Sequence, residues 1–134
     1  MTLAPGVAAI HEMQRLGLVD RARELGEYLG ARLLTLKDKH ASIGDVRGLG
    51  LFWCVELVKN RQTKQPFNTK SDKMAGKPLV VDQVAAAMMK NGVAINAWLS
   101  HFVIAPPLII EREQIDAGVA ALDDALALAD GQVG

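Results

Sequence analysis

Among the residue types that carry chemistry, this sequence holds eight lysines, three histidines, one cysteine and an arginine flanked by glycine-rich turns. Each type makes its own demand. A metal needs imidazole, thiolate or carboxylate ligands at converging spacings, and His11, His40 and His101 fall in three separate stretches. No metal site is expected from them. Cys54 sits inside an extended apolar run, with neither a helix N-terminus nor a neighbouring cation in sequence to activate it, so an inert structural thiol is expected. Gly44, Gly48 and Gly50 precede a strand pattern instead of a helix, which argues against a phosphate-cradling dinucleotide turn. Arg47 is the group with a usable geometry. At a glycine-lined bend its planar fork suits a carboxylate, either a structural one such as Asp45 or Glu56 or one on a substrate.

The element that must position Arg47 is the stretch 44–57, around which the chain is organised. It reads as a short strand, a glycine-punctuated bend and a second strand. Gly48 and Gly50 permit a positive φ or a close backbone approach there. Beyond the bend Leu51, Trp53, Val55 and Leu57 alternate with Phe52, Cys54, Glu56 and Val58, the period-2 signal of a strand with one face in the core.

Helical patterns flank this pair. Pro5 suits a first helical turn, and Val7, Ile10, Met13 and Leu16 recur at helical spacing over residues 3–16. After Gly17, a cleaner stripe of Leu18, Ala22, Leu25, Leu29, Leu33 and Leu36 predicts an amphipathic helix over 18–39, with Lys37 and Lys39 suited to the negative pole of its dipole. Residues 59–77 lose all period and read as a long solvated loop. Six cations there (Lys59, Arg61, Lys64, Lys70, Lys73, Lys77) face Asp72 alone, a local net of +5. A nucleic-acid surface would interleave aromatics among them, and only Phe67 is present. Helical period returns over 79–90 and stops at Asn91-Gly92. Residues 93–98 and 101–105 read as two strands joined by a tight turn at Leu99-Ser100, with Pro106-Pro107 ending the second. A last helix spans 112–129, and the tail from Gly131 is expected to fray. Helix, strand pair, helix, strand pair, helix predicts an α+β fold: a small, mostly antiparallel sheet of about four strands with helices packed on one face.

Two of these segments carry a resemblance. Val46-Arg47-Gly48, followed by Leu49-Gly50-Leu51, resembles the "VRG-x-G-L" turn of class III pyridoxal-phosphate-dependent aminotransferases, and Ala105-Pro106-Pro107-Leu108 resembles their "APPL" segment. The order of elements between them also matches, so the likeness covers nearly all 134 residues. It implies that residues 1–134 correspond to the small C-terminal domain of a 4-aminobutyrate- or ω-amino-acid-aminotransferase-like enzyme, without the large cofactor-binding domain. In the family, pyridoxal phosphate forms a Schiff base with a lysine of that large domain, which anchors the cofactor and shuttles the proton. None of the eight lysines here stands in a matching context, so no catalytic or cofactor-binding residue carries over and the chain alone is expected to be inactive. The small domain contributes a lid over the substrate side and, in many members, an arginine for a substrate carboxylate. The two positions where that arginine occurs are here Val103 and Asn96, which lack its charge. Arg47, Asn96, Trp98, Ser100, His101 and Val103 are thus the substrate-side candidates, with an ordinary hairpin tip as the other reading of Trp98, Ser100 and His101. Cys54 stands where the family most often has glycine.

Net charge is zero and pI about 6.8, so no global field points to nucleic acid or an anionic membrane. A lone cysteine and no signal-peptide pattern predict a cytoplasmic protein. No apolar run reaches the roughly 18 to 20 residues that span a bilayer. A 50% hydrophobic fraction, aliphatic since only six residues are aromatic, hints at a covering partner. The resemblance implies the missing N-terminal pyridoxal-phosphate domain and a homo-oligomeric, dimeric parent. It leaves open a free-standing interaction or dimerisation module on the same fold, or the small domain of a related pyridoxal-phosphate decarboxylase or aminomutase.

Overall fold

The computed structural model describes residues 3–134. The first helix, α1 (Ala4–Arg15), carries Pro in its first turn and stops before Gly17, whose φ of 60° turns the chain into α2 (Leu18–Lys39). Only glycine adopts that conformation without strain. The leucine stripe of α2 behaves as its spacing predicts: Leu25, Leu29, Leu33 and Leu36 are buried. The stripe of α1 does not. Val7, Ile10, Met13 and Leu16 are all exposed, because among the described residues nothing lies over that face.

The sheet follows. β1 (Ile43–Leu49) and β2 (Phe52–Leu57) form a hairpin across Gly50, with φ 54°. α3 (Lys70–Met74) and α4 (Val80–Lys90) lie between that pair and the second, β3 (Asn96–Trp98) and β4 (His101–Ile104). The sheet order is β1-β2-β4-β3, antiparallel throughout. α5 (Arg112–Asp130) closes the chain, with the Gln114 side-chain Oε1 accepting from the Glu111 N–H at its start. Buried residues of α2, α4, α5 and one sheet face form one core, with Ile43, Val55, Leu57 and Phe102 fully buried from the strands. The expected α+β architecture is the one found. Among the described residues no helix is long and apolar enough to cross a membrane.

Close approach of α2 to the hairpin depends on missing side chains. A Cβ on Gly26 would stand 2.2 Å from the Gly50 carbonyl carbon, and one on Gly30 would stand 2.3 Å from the Trp53 ring. A Cβ on Gly48 would meet the same indole at 2.5 Å. Trp53 therefore lies between glycines of α2 and β1, with its Nε1–H donating to Gly50 O at 2.7 Å.

Three expectations need correction. The stretch 59–77 is not all loop: α3 forms inside it, and Thr69 and Asp72 make a reciprocal capping box, each side chain accepting the other's backbone N–H. The tail is tied down, with Gly134 N–H donating to Lys59 O and Asn60 Nδ2 to Gly134 O. The first strand of the second pair is only Asn96–Trp98, since residues 93–95 run on without a strand partner.

Candidate functional site

Strand register decides which candidates meet. Arg47 pairs with Cys54, Cys54 with Val103 and Val103 with Asn96, one row running across all four strands. Two positions along, past the row Val46, Val55, Phe102 and Ala97, lies the row Asp45, Glu56, His101 and Trp98. Successive residues of a strand face opposite ways. Since Val46, Val55 and Phe102 are buried in the core, these two rows lie on the face away from the helices. Five of the six candidates thus share one open sheet face. Ser100 stays in the turn, where its carbonyl accepts from Leu57 N–H at 2.7 Å and its N–H donates to Trp98 O. Leu99 beside it has φ 54°, an uncommon conformation for a branched residue.

Arg47 is held by carboxylates of its own chain. Its Nη1 donates to Asp45 Oδ2 at 2.8 Å and to Glu56 Oε2 at 2.9 Å. The guanidinium holds Asp45 below the usual carboxylate range, and Asp45, then Glu56, raise Arg47 in turn. Within the first row Cys54 is half-buried, and burial pushes its thiol up despite the nearby guanidinium. A raised thiol is a poor nucleophile.

The basic stretch supplies a residue that periodicity did not reveal. Lys73 of α3 places its ammonium 3.3 Å from the centroid of the Trp98 ring, a cation–π contact at the edge of the open face. Two other cations of the stretch are also engaged within the chain. Arg61 donates to the carbonyls of Lys37, His40 and Ile43, and Lys77 pairs with Asp72 at 2.7 Å. Three of the six cations are thus held by groups of the chain, and the local net of +5 is unchanged.

A cleft of about 390 Å³ opens beside this face, between β3, β4, the Pro106-Pro107 segment and α5. Asn96 and Val103 line it, together with Ile95, Ile104, Ile115 and Val119; Arg47, Trp98, Ser100 and His101 do not. Its lining is apolar apart from the amides of Asn96 and Gln114. An aldehyde cofactor would need a lysine amine at such a cleft. None lines it, and every lysine of the chain is exposed or half-exposed, so these residues do not fit as a pyridoxal phosphate anchor. Among the described residues no His, Cys, Asp and Glu group is placed to hold a metal ion.

The family model described as aminotransferase class-III matches residues 2–126. The chain belongs to the class-III aminotransferase family. The leucine/methionine racemase of Thermococcus litoralis is 35% identical over 129 residues, which is 96% of this chain and 27% of that protein. The hypotaurine/taurine–pyruvate aminotransferase of Paracoccus denitrificans is 36% identical over 130 residues, 90% of this chain and 26% of the relative. Among solved structures, an S-selective transaminase from an Arthrobacter species superposes with a TM-score of 0.83 at 30% identity, covering 93% of this chain and 28% of that one. The chain thus spans about a quarter of the length of the class-III relatives it matches.

Proposed function

We propose that residues 1–134 act as one unit, the small domain of a pyridoxal-phosphate-dependent class-III aminotransferase, and that the unit covers and shapes a site whose reactive groups lie elsewhere in the enzyme. The whole reaction on this reading moves an amino group from an amine or ω-amino acid to a 2-oxo acid. Pyridoxal phosphate, when bound in the remainder of such an enzyme, supplies the electron sink for that exchange. One observation carries the reading: the sheet face away from the core and α1 leave Phe52, Trp98, Ile10 and Val7 more than half exposed. Exposed apolar side chains on two surfaces of one domain are what a covering partner would bury. That partner is the cofactor-binding domain, within a homo-oligomer in the cytoplasm, with no part for nucleic acid or membrane.

On this reading Arg47, Asn96, Trp98, Ser100, His101 and Val103 lie on the substrate side of the closed site. Asn96 and Val103 offer no cation, so a substrate acid there meets an amide and a methyl surface in place of the roughly 1.5–3 kcal/mol of a charge-assisted bond. Amines without a carboxylate are the better matched donors. The test begins with the chain alone plus pyridoxal phosphate, which should give no stoichiometric aldimine absorbance and no turnover of amine with pyruvate. Specific uptake followed by turnover would overturn the claim of inactivity.

A second reading is favoured by the racemase and epimerase among the relatives, at 35% and 33% identity. There the same cover closes over a site that inverts an amino acid without an acceptor. The complete reading frame separates the two: alanine formed from pyruvate and an amine supports amino transfer, whereas loss of optical rotation from a single amino acid with no oxo acid present supports inversion.

A further inference from the structure

The corner where α2 runs into β1 holds a buried histidine that those exposed surfaces do not include. His40 is 5% exposed. Its Nδ1 lies 2.6 Å from Asp130 Oδ2 and its Nε2 lies 2.5 Å from Asp123 Oδ1, both carboxylates coming from α5. A neutral imidazole has one N–H and one lone pair, whereas an ionised carboxylate can only accept. Both contacts are attractive together only if both ring nitrogens carry protons.

Further donors meet the same two carboxylates. Lys39 of α2 donates to Asp123 Oδ2 at 2.7 Å, and the Ser42 N–H donates to Asp130 Oδ1 at 2.9 Å. Lys39 and then His40 hold Asp123 below the usual carboxylate range. Burial opposes the charge on Asp130, but Ser42 and His40 outweigh it and that carboxyl also titrates low. Both acids are therefore ionised when the imidazole is charged. From the loop side Arg61 reaches the carbonyls of Lys37, His40 and Ile43, which fixes the corner without contributing an acceptor. The Ser42 hydroxyl is fully buried and has no hydrogen-bond partner.

We propose that His40 is a proton-operated clamp, joining the C-terminal half of α5 to the α2–β1 corner while its imidazole is doubly protonated and releasing one carboxylate when a ring proton leaves. The sign follows from the charges. A group that gains acceptors in the folded state contributes its stabilisation while charged and loses it as pH rises through its titration. After the proton leaves, a lone pair faces an ionised carboxylate at hydrogen-bond distance, and one of the two contacts must open. The segment freed is the end of α5 with its tail, which also holds Lys59 and Asn60 through Gly134.

The chain itself tests this. With 15N-labelled histidine, both ring nitrogens of His40 should bear protons at the acidic end of its titration. The Ser42 amide, corrected for intrinsic exchange, should lose protection across the same pH interval. The variant His40→Gln should retain no pH dependence of that protection in that interval. A single ring proton on His40 throughout, or Ser42 protection that stays flat in the wild-type chain, overturns the clamp; so does a folded His40→Gln variant with the wild-type pH dependence. The ring-proton and amide measurements on the wild-type chain decide the matter even if the variant does not fold.

Discussion

Gly30 of α2 lies so close to the Trp53 indole that a Cβ there would stand 2.3 Å from Cζ2 and 2.4 Å from Cη2. Helix propensity alone favours alanine over glycine by about 1 kcal/mol. Here the ring is confined, because Gly48 also lies against it and Gly50 O holds its Nε1–H. Gly30→Ala is expected to destabilise by about 1–3 kcal/mol through overpacking. Gly118 in α5 has nothing within 4 Å of a built Cβ, so Gly118→Ala is expected to stabilise by up to about 1 kcal/mol. Urea titrations of the two variants should move in opposite directions.

Phe102 of β4 is fully buried and pairs across both neighbours, Val55 of β2 and Ala97 of β3. Removing its ring leaves a cavity at the centre of the sheet that the backbone cannot close. Phe102→Ala is expected to lose about 3–5 kcal/mol, read as a drop in the denaturation midpoint with little change in slope. Val103→Ala, one residue on but facing the open side, should lose far less.

The low titration of Asp123 and Asp130 makes the fold sensitive to acid. A carboxyl depressed in the folded state adds stability that is fully present above its unfolded value, about 3.9, and fades as pH falls through the folded one. The stability difference between the wild-type chain and Asp130→Asn should therefore shrink steadily as pH falls below about 4. Chemical denaturation at a series of acidic pH values measures it; a difference that grows in acid would contradict the assignment.

Cys54 should be a slow thiol. Burial raises it and outweighs the nearby Arg47 guanidinium, so near pH 8 its thiolate fraction falls below that of a free cysteine. Alkylation of the native chain is expected to lag well behind that of the chain in denaturant, and a native rate equal to the unfolded one would show an exposed, activated sulfur instead.

Much of the architecture was legible because it rests on local rules. The leucines of α2 recur at the helical period and face one side, and the alternation from Leu51 to Leu57 marks a strand buried on one face. Even α3 had a readable signal, since Thr69 and Asp72 have capping-box spacing within an otherwise aperiodic stretch. The same periodicity in α1 indicated a helix but not where its apolar face goes, and Val7, Ile10 and Met13 are exposed.

By itself, then, the sequence determined the helices, the hairpins and the two motifs of the class-III family, because backbone sterics and side-chain period act over a few residues. Only the tertiary structure decided that Arg47, Cys54, Val103 and Asn96 form one row, that Lys73 lies on Trp98, and that His40 meets Asp123 and Asp130 across 83 and 90 residues of chain. Such partners are selected by strand register and by how α5 packs back onto α2, and no spacing along the chain encodes a contact that folding alone brings within hydrogen-bond distance.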